Sequence, residues 1–166
     1  MSIIEAGARC VGDEHLGLVL SRYTSFETYG TWGSYLRSAP TLRDALDRIE
    51  GSIHFHSPGD RFWLSHTPDG VRVTYRFALV GGFGSDNTSY CAAGVLLSVI
   101  RYYAGHAWRP HRLNLCVPKR SRASKIAETF ECDVALGGEV ISFEVSEDVL
   151  SASRPFSRSP LVTLAD

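Results

Sequence analysis

The residues whose types and spacing best fit metal binding or acid–base catalysis are the three histidines His54, His56 and His66. Neutral imidazoles bind zinc when two or three of them converge with a carboxylate or a thiolate. His54 and His56 lie two positions apart in the segment IHFHS, and side chains at that spacing on a helix do not share a face. We therefore predict no metal site. A small α+β metal- or cofactor-binding enzyme domain that uses this histidine group is the alternative hypothesis.

The sequence lacks the usual signatures of covalent catalysis and of phosphate binding. No Gly-x-Ser-x-Gly occurs, and no nucleophile has a general base at a recognisable spacing. The glycine-rich run from Val80 to Gly84 is followed by neither Lys-Ser nor Lys-Thr, and it lacks the GxGxxG spacing. We expect no catalytic residues, no cofactor and no enzyme activity. This run is either a lid over a pocket or an ordinary loop between the hairpin and the next helix.

Aromatic side chains give the strongest indication of a ligand site. Small-molecule sites are mostly apolar and aromatic with a few polar tips, although core packing explains most single aromatic residues. We predict a pocket between the hairpin over residues 62–77 and the helix that begins at Thr88, with Val80–Gly84 as its roof. Trp63 and Tyr75 would form its walls, and Arg76 or Arg101 would pair with an anionic group if the effector is a carboxylate. With an uncharged or aliphatic effector, these arginines would instead be surface ion-pair partners. The predicted ligand-binding residues are Trp63, Tyr75, Arg76, Tyr90 and Arg101.

The helix from Thr41 to about Phe55 is the clearest of the elements that must position these residues. Thr41 and Asp44 have the spacing of a capping box, in which each side chain binds the backbone N–H of the other residue. Pro40 disfavours helical backbone at the residue before it, so a shorter helix over residues 27–37 must stop there. An apolar stripe at helical spacing predicts the buried face of the longer helix. Its members are Leu42, Ala45, Leu46, Ile49 and Ile53.

The remaining elements alternate between helices and short strands. Residues 3–23 are typical of a helix, and the turn at Thr67–Gly70 joins the two strands of the hairpin. A long helix over residues 88–104 should place one apolar stripe on the sheet. That stripe is Ala92, Val95, Leu96, Val99, Ile100 and Tyr103. The strands expected after it are residues 113–117, 134–136 and 140–145. Gly137–Glu139 should form the turn between the second and the third of these strands.

The order of these elements predicts an α+β fold. N-terminal helices are followed by a ββαβαββ unit, with a mainly antiparallel sheet covered by helices. Too many helices interrupt the strands for a barrel to close. The length fits one domain, which we place at residues 1–152. Residues 153–166, rich in Ser, Arg and Pro, have the composition of a linker-like tail.

The composition predicts a cytoplasmic globular protein without a membrane segment. Apolar residues make up 44% of the chain and charged residues 21%. The longest apolar run, from Ala92 to Ile100, is too short to span a bilayer. A net charge of −1 gives no indication of a nucleic-acid-binding surface. The four cysteines lack CxxC spacing and are expected to be reduced thiols.

Several segments carry a family resemblance together. The run from Leu16 to Leu46 contains GLVLS and then YGTWGSYLRSAPTLRDAL. Downstream, the segment RYYAGHAWRPHRLNLCVP fits a helix that ends in glycine and is followed by a strand, and the matching residues are Arg101, Gly105 and Pro110. The segments FECDV and VISFE come after it. In this order, over about nine tenths of the chain, the segments resemble the N-terminal regulatory domain of AraC-type bacterial transcription regulators, in the arabinose-binding-domain-like branch.

The resemblance implies an effector-sensing and dimerisation domain without catalytic activity. The partners that it implies are a small-molecule effector and a second copy of the chain in a homodimer. DNA would be bound only through a C-terminal helix-turn-helix domain, and nothing in residues 1–166 matches that domain. The helices that precede GLVLS in the family are short in this chain. A dimerisation module without any ligand is a further hypothesis.

Overall fold

A mixed five-stranded sheet lies at the centre of the computed structural model, which describes residues 7, 10, 16–78, 85–119 and 121–155. Its strands are β1 Arg61–Thr67, β2 Gly70–Arg76, β3 Arg112–Leu115, β4 Asp133–Leu136 and β5 Ile141–Ser146. They lie in the order β1-β2-β5-β3-β4; β3 and β4 pair in parallel, and the other pairs are antiparallel. Helices pack on one face of the sheet, which confirms the predicted α+β fold.

The helices of the described residues pack against this sheet and against each other. They are α1 Leu16–Leu20, α2 Gly30–Arg37, α3 Leu42–His56, α4 Ser85–Ala104, α5 Ala123–Phe130 and α6 Glu147–Leu150, and Phe26–Thr28 form a 3₁₀ turn. The helix predicted over residues 27–37 is divided between this turn and α2. Gly30 has a φ of +57°, which interrupts a right-handed helix at that point. α4 begins before the predicted Thr88, and α1 ends at Leu20 rather than at residue 23.

β5 has a central position that the sequence analysis did not foresee. The predicted turn at Gly137–Glu139 reverses the chain between β4 and β5, but the two strands are not neighbours, because β3 lies between them. Leu113 of β3 pairs with Val134 of β4, whereas β5 pairs with β2 along its whole length. A parallel pair of strands needs a crossover connection, and α5 supplies it between β3 and β4.

The predicted cap and apolar stripe of α3 are both confirmed. Asp44 donates its backbone N–H to Thr41 Oγ1 at 3.2 Å, and Thr41 donates its own N–H to the Asp44 carboxylate at 3.1 Å. This capping box satisfies donors that a helix start leaves without partners. All five residues of the stripe are buried, with Leu46 only 1% exposed. α3 therefore packs its apolar face into the core beneath β1.

α4 is buried on more than one side, so the predicted stripe is only partly correct. Ala92 and Val95 are half-buried, whereas Ala93 and Leu97, which the stripe omitted, are completely buried. The reason is that α4 contacts α1 and α3 as well as β3. A helix that is enclosed in this way is apolar around most of its circumference.

Two glycines allow α1 and the turn after it to approach α4 closely. Gly17 donates its backbone N–H to Asn87 Oδ1 at 2.8 Å, and a methyl group at Gly17 would collide with the backbone of Asn87. A methyl group at Gly94 would collide with Thr24 Oγ1 and with the carbonyl of Ser21. Gly17, the glycine of the GLVLS segment, is therefore required where α1 contacts α4.

The segment after α6 pairs with the corner between α2 and α3. Leu42 donates its N–H to the Ala152 carbonyl at 3.0 Å, and Arg154 donates its N–H to the Pro40 carbonyl at 2.8 Å. Thr41 and Ser153 form the isolated antiparallel bridge between these bonds. The first residues of the predicted tail are thus fastened to the domain, and the tail from residue 156 lies outside the described residues.

Replacing Gly94 by Ala should destabilise the domain by about 1–3 kcal/mol, because the added methyl group overpacks the contact between α4 and the turn after α1. Gly51→Ala is a matched control, since Gly51 lies in α3 and a methyl group there meets nothing within 4 Å. It should instead stabilise the helix by roughly 0.5–1 kcal/mol. Urea unfolding of both variants measures these changes, and equal effects would contradict the close approach.

Candidate functional site

Trp63 and Tyr75 were predicted to line the same pocket, but they lie on opposite faces of the sheet. In the hairpin, Phe62 pairs with Tyr75, and Trp63 pairs with Thr74. Paired residues share a face and neighbouring residues alternate, so Tyr75 faces the helices and Trp63 faces away from them. The two side chains therefore cannot line the same cavity. A binding role for either residue stays a prediction.

The other three predicted ligand-binding residues are also dispersed. Arg76 is exposed opposite Arg61, on the face that Trp63 occupies. Tyr90 is 1% exposed within the core, and Arg101 donates from Nε to the Trp108 carbonyl at 3.2 Å. Tyr90 and Arg101 are eleven positions apart in α4, which is about 16 Å along a helix. The predicted roof, Val80–Gly84, lies outside the described residues.

Tyr75 has a structural partner on the inner face. Its hydroxyl donates to the Asp60 carboxylate, whose other oxygen accepts the Ala78 N–H at 2.8 Å. Burial, together with this hydrogen bond and the charge of Asp60, raises the pKa of Tyr75 far above its ordinary value. The hydroxyl therefore stays protonated, and it connects β2 to the loop that follows α3.

An aromatic cluster of Tyr29, Trp32 and His56 lies where α2 meets the end of α3. The rings of Trp32 and His56 stack with their centroids 4.3 Å apart, and Tyr29 contacts His56 edge-on at 4.8 Å. Trp32 Nε1 donates to Ser52 Oγ at 2.9 Å. Burial lowers the pKa of His56, and the charge of Asp60 acts against this change. His56 is therefore occupied by packing contacts.

The histidine group of the alternative hypothesis does not converge. His54 and His66 are exposed on a helix and on a strand, and His56 stacks on Trp32. Within the described residues, no three histidine, cysteine, aspartate or glutamate side chains are arranged to hold a metal ion. The arrangement thus gives the enzyme hypothesis no catalytic or metal centre at these three residues.

The outer face of the sheet carries a groove of about 460 Å³, which we call the outer groove. Half-buried Trp63 forms part of it, and the groove crosses β1, β2 and β5 near the hairpin turn. Thr74 and Ser142 line it and are only 5% and 6% exposed. Arg72 and Glu144 form an ion pair of 2.7 Å across the neighbouring strands. Aromatic, hydroxyl and charged groups therefore meet in one depression of ligand size.

Sequence reasoning missed most residues of the outer groove. The alternation of Arg72 and Thr74 with apolar neighbours was visible in the second strand of the hairpin. Combined with the pairing of Thr67 with Gly70, that alternation places both residues on the face of Trp63. Ser142 and Glu144 also alternate with apolar neighbours, but the position of β5 beside β2 depends on the topology of the whole sheet.

A second depression, of about 510 Å³, lies on the helical side at the α2–α3 corner. Arg48 lies over the ring of Tyr35, with the guanidinium carbon 4.6 Å from the ring centroid. The same guanidinium donates to the Tyr35 carbonyl and to Ser38 Oγ. Asp44 and Asp47 are also at its edge. Arg48 is thus already engaged by protein atoms.

Comparison with known families decides the class of this domain. The family model for the N-terminal arabinose-binding domain of AraC transcription regulators matches residues 1–153. The chain belongs to this family. The order of the sequence motifs predicted this AraC-type regulatory-domain family, and the match confirms it.

A solved structure shares the fold of this AraC-type domain. It is the crystal structure of the transcriptional regulator CdpR from Pseudomonas aeruginosa, with a TM-score of 0.63 and 24% sequence identity. The match covers 83% of this chain and 45% of the CdpR chain, so this chain spans less than half of that regulator. No curated protein sequence matches this chain. In the described residues, no helix is long and apolar enough to cross a membrane.

His56→Gln should reduce the loss of stability on acidification. The pKa of His56 is lowered in the folded domain, so the unfolded chain binds the proton more strongly. Stability that is present above the ordinary pKa of about 6.5 is therefore lost as the pH falls below it. Melting temperatures at pH 7.5 and pH 5 should differ less in the variant than in the wild type. His54→Gln, an exposed change on the same helix, should behave as the wild type, and parallel curves for all three proteins would contradict this account.

Proposed function

We propose that this domain senses a small-molecule effector and associates as a homodimer, without enzyme activity. The observation that carries the proposal is the family match over residues 1–153, which assigns the chain to the regulatory part of AraC regulators. In this proposal, the regulator controls transcription through a helix-turn-helix part that lies outside these 166 residues. The effector acts on the domain, and the helix-turn-helix part contacts DNA.

The geometry supports effector binding more than catalysis. The outer groove has the volume of a small-molecule site, and Trp63 gives it one aromatic side chain within a mainly polar lining. Catalysis would instead require a nucleophile and a base, or a metal, in one place. The three histidines considered for that role are distributed over α3 and β1.

An effector should raise the melting temperature of the isolated domain. A ligand that binds only the folded state at 100 times its Kd stabilises it by about 2.7 kcal/mol. For a domain of this size, that corresponds to an increase of roughly 5–11 °C. A thermal-shift screen over sugars, amino acids, organic acids, amines and nucleosides measures it. If no compound changes the melting temperature, effector sensing by this domain is contradicted, and the dimerisation module without a ligand replaces it.

Homodimerisation should be visible by sedimentation velocity at tens of micromolar protein. Two-fold pairs are the commonest oligomers of soluble proteins, and their interfaces use the same surface patch twice. Tyr23 and Phe55 are the most exposed large apolar residues that the structure describes, at 79% and 72%. Tyr23→Ser and Phe55→Ser therefore form a suitable pair of variants for mapping the interface. A single monomeric species over the whole concentration range would contradict the proposed dimer.

A further inference from the structure

Four arginines lie in the five strands of the sheet, and two of them are placed opposite acidic residues. Arg72 of β2 is in register with Glu144 of β5, and their side chains form the ion pair of 2.7 Å. Arg112 of β3 is in register with Asp133 of β4. Opposite charges at facing positions of neighbouring strands stabilise a sheet, whereas like charges at facing positions destabilise it. These two arginines therefore have favourable partners across the strands.

The other two arginines, Arg61 and Arg76, face each other. They are register partners in the β1–β2 hairpin, and both side chains are exposed on the outer face of the sheet. We call them the arginine pair. Facing residues of neighbouring strands have their Cβ atoms about 4.5–5.5 Å apart. Two positive charges on such neighbours repel each other, and an anion bound between them would replace this repulsion by attraction.

Among the described residues, no acidic side chain forms an ion pair with the arginine pair. The ion pairs within these ranges use other arginines, namely Arg37, Arg43, Arg72 and Arg109. Asp60, which precedes Arg61 in the chain, instead accepts hydrogen bonds from the Tyr75 hydroxyl and from the Ala78 N–H. The side chains of Arg61 and Arg76 form no hydrogen bond in the part of the chain that the structure describes. Both guanidinium groups are therefore available to a ligand.

The outer groove begins next to the arginine pair. Trp63 lies two positions after Arg61 on β1, and Thr74 lies two positions before Arg76 on β2, so these four residues share the outer face. Trp63 and Thr74 line the groove. Two residues of a strand span only about 7 Å. A ligand whose anionic group is held by the arginine pair would therefore extend over the indole ring of Trp63.

The two carboxylates of the outer groove do not oppose an anion at this end. Glu144 is already paired with Arg72. Asp69 lies at the hairpin turn, at the opposite end of β1 from Arg61, and a strand of seven residues spans about 20 Å. Exposed charges at such a distance are largely screened at physiological ionic strength. The groove is thus positive beside the arginine pair and negative at the turn, which fixes the direction in which an anionic ligand lies.

We infer that the arginine pair and the adjoining part of the outer groove bind the effector, and that the effector is a small anion with a flat apolar body. The inference rests on the proposed effector-sensing function. Arg61 and Arg76 donate N–H groups to the carboxylate or phosphate of the ligand, an interaction for which the planar guanidinium is suited. Trp63 packs against the flat body. Two residues that the sequence analysis named, Trp63 and Arg76, thus act together with Arg61, which it did not name.

The probes are ring compounds of similar shape and different charge, titrated into the 166-residue chain by isothermal titration calorimetry. Benzoate, indole-3-acetate and phenyl phosphate are the anions, benzamide and indole-3-acetamide are neutral analogues, and benzylamine and tryptamine are cations. Inorganic phosphate is an anion without a ring. We expect an aromatic anion to bind about tenfold or more tightly than its neutral and cationic analogues and than inorganic phosphate. Preference for a neutral compound or a cation would overturn the ligand class, and equally tight binding of inorganic phosphate would overturn the role of Trp63.

Arg76→Gln and Arg112→Gln are a matched pair of variants, because each removes one exposed positive charge from a strand of the same sheet. We expect Arg76→Gln and Arg61→Gln to weaken binding of the preferred anion about tenfold or more, and Arg112→Gln to change it less than about twofold. Trp63→Ala should weaken it about fivefold or more. Near-ultraviolet circular dichroism establishes that each variant is folded.

The same variants test the repulsion within the arginine pair without any ligand. Arg76→Gln removes one of two facing like charges, so it should raise the melting temperature by roughly 1–3 °C. Arg112→Gln removes a charge that faces Asp133, so it should leave the melting temperature unchanged or lower it. A lower melting temperature in Arg76→Gln would show that Arg76 already has a stabilising partner, and it would overturn the arginine pair as an open anion site.

The outcomes separate this inference from the proposed function. If an anion binds the wild type with unchanged affinity in folded Arg61→Gln and Arg76→Gln, the arginine pair is not the site, and effector sensing then holds through another surface. If only uncharged or cationic compounds of the broader screen bind, the inference is overturned and the proposed function again holds. If no compound of either set binds the wild type, both the proposed function and the inference are contradicted.

Discussion

The buried hydroxyl of Tyr103 holds together the corner on which the helical layer depends. Tyr103 lies near the end of α4, and its hydroxyl oxygen is 2.8 Å from the Leu36 carbonyl oxygen and 3.1 Å from the Ala39 carbonyl oxygen. A helix leaves its last carbonyls without partners, and burying them unsatisfied would cost about 1–3 kcal/mol. Burial raises the pKa of Tyr103, so the donor stays protonated. Tyr103 thus ties α4 to the corner between α2 and α3, and the segment after α6 pairs with the same corner through its own hydrogen bonds.

The two faces of the sheet carry different kinds of side chain. The inner face carries Val71, Val73 and Tyr75 into the core, and β5 adds Ile141, Phe143 and Val145 to the same side. Their neighbours Thr74 and Ser142 lie on the outer face and line the groove there. Because adjacent residues of a strand point in opposite directions, the same strands can keep a constant core while the outer side chains vary. In this fold, the outer side chains of the sheet can therefore change without a loss of packing on the inner face.

Local features were predictable from the sequence, whereas features that depend on several distant segments were not. The capping box at Thr41 and Asp44, the apolar stripe of α3 and the hairpin turn each depend on residues within one or two turns of chain. The place of β5 in the sheet depends on strands that are far apart in sequence, so no local pattern reveals it. The predicted ligand site failed to converge for a related reason. Aromatic residues were grouped by type, and the face that each one occupies requires the register of the strands.

The central place of β5 determines when the domain can become complete during synthesis. The β1–β2 hairpin forms from neighbouring residues, and β3, α5 and β4 form a second unit that is also local in sequence. These two units do not touch within the sheet until β5 inserts between β2 and β3. While the chain emerges from the ribosome, the exposed edges of both units remain open to pairing with other chains. Of these five strands, β5 is synthesised last, and it closes the sheet by covering one open edge of each unit.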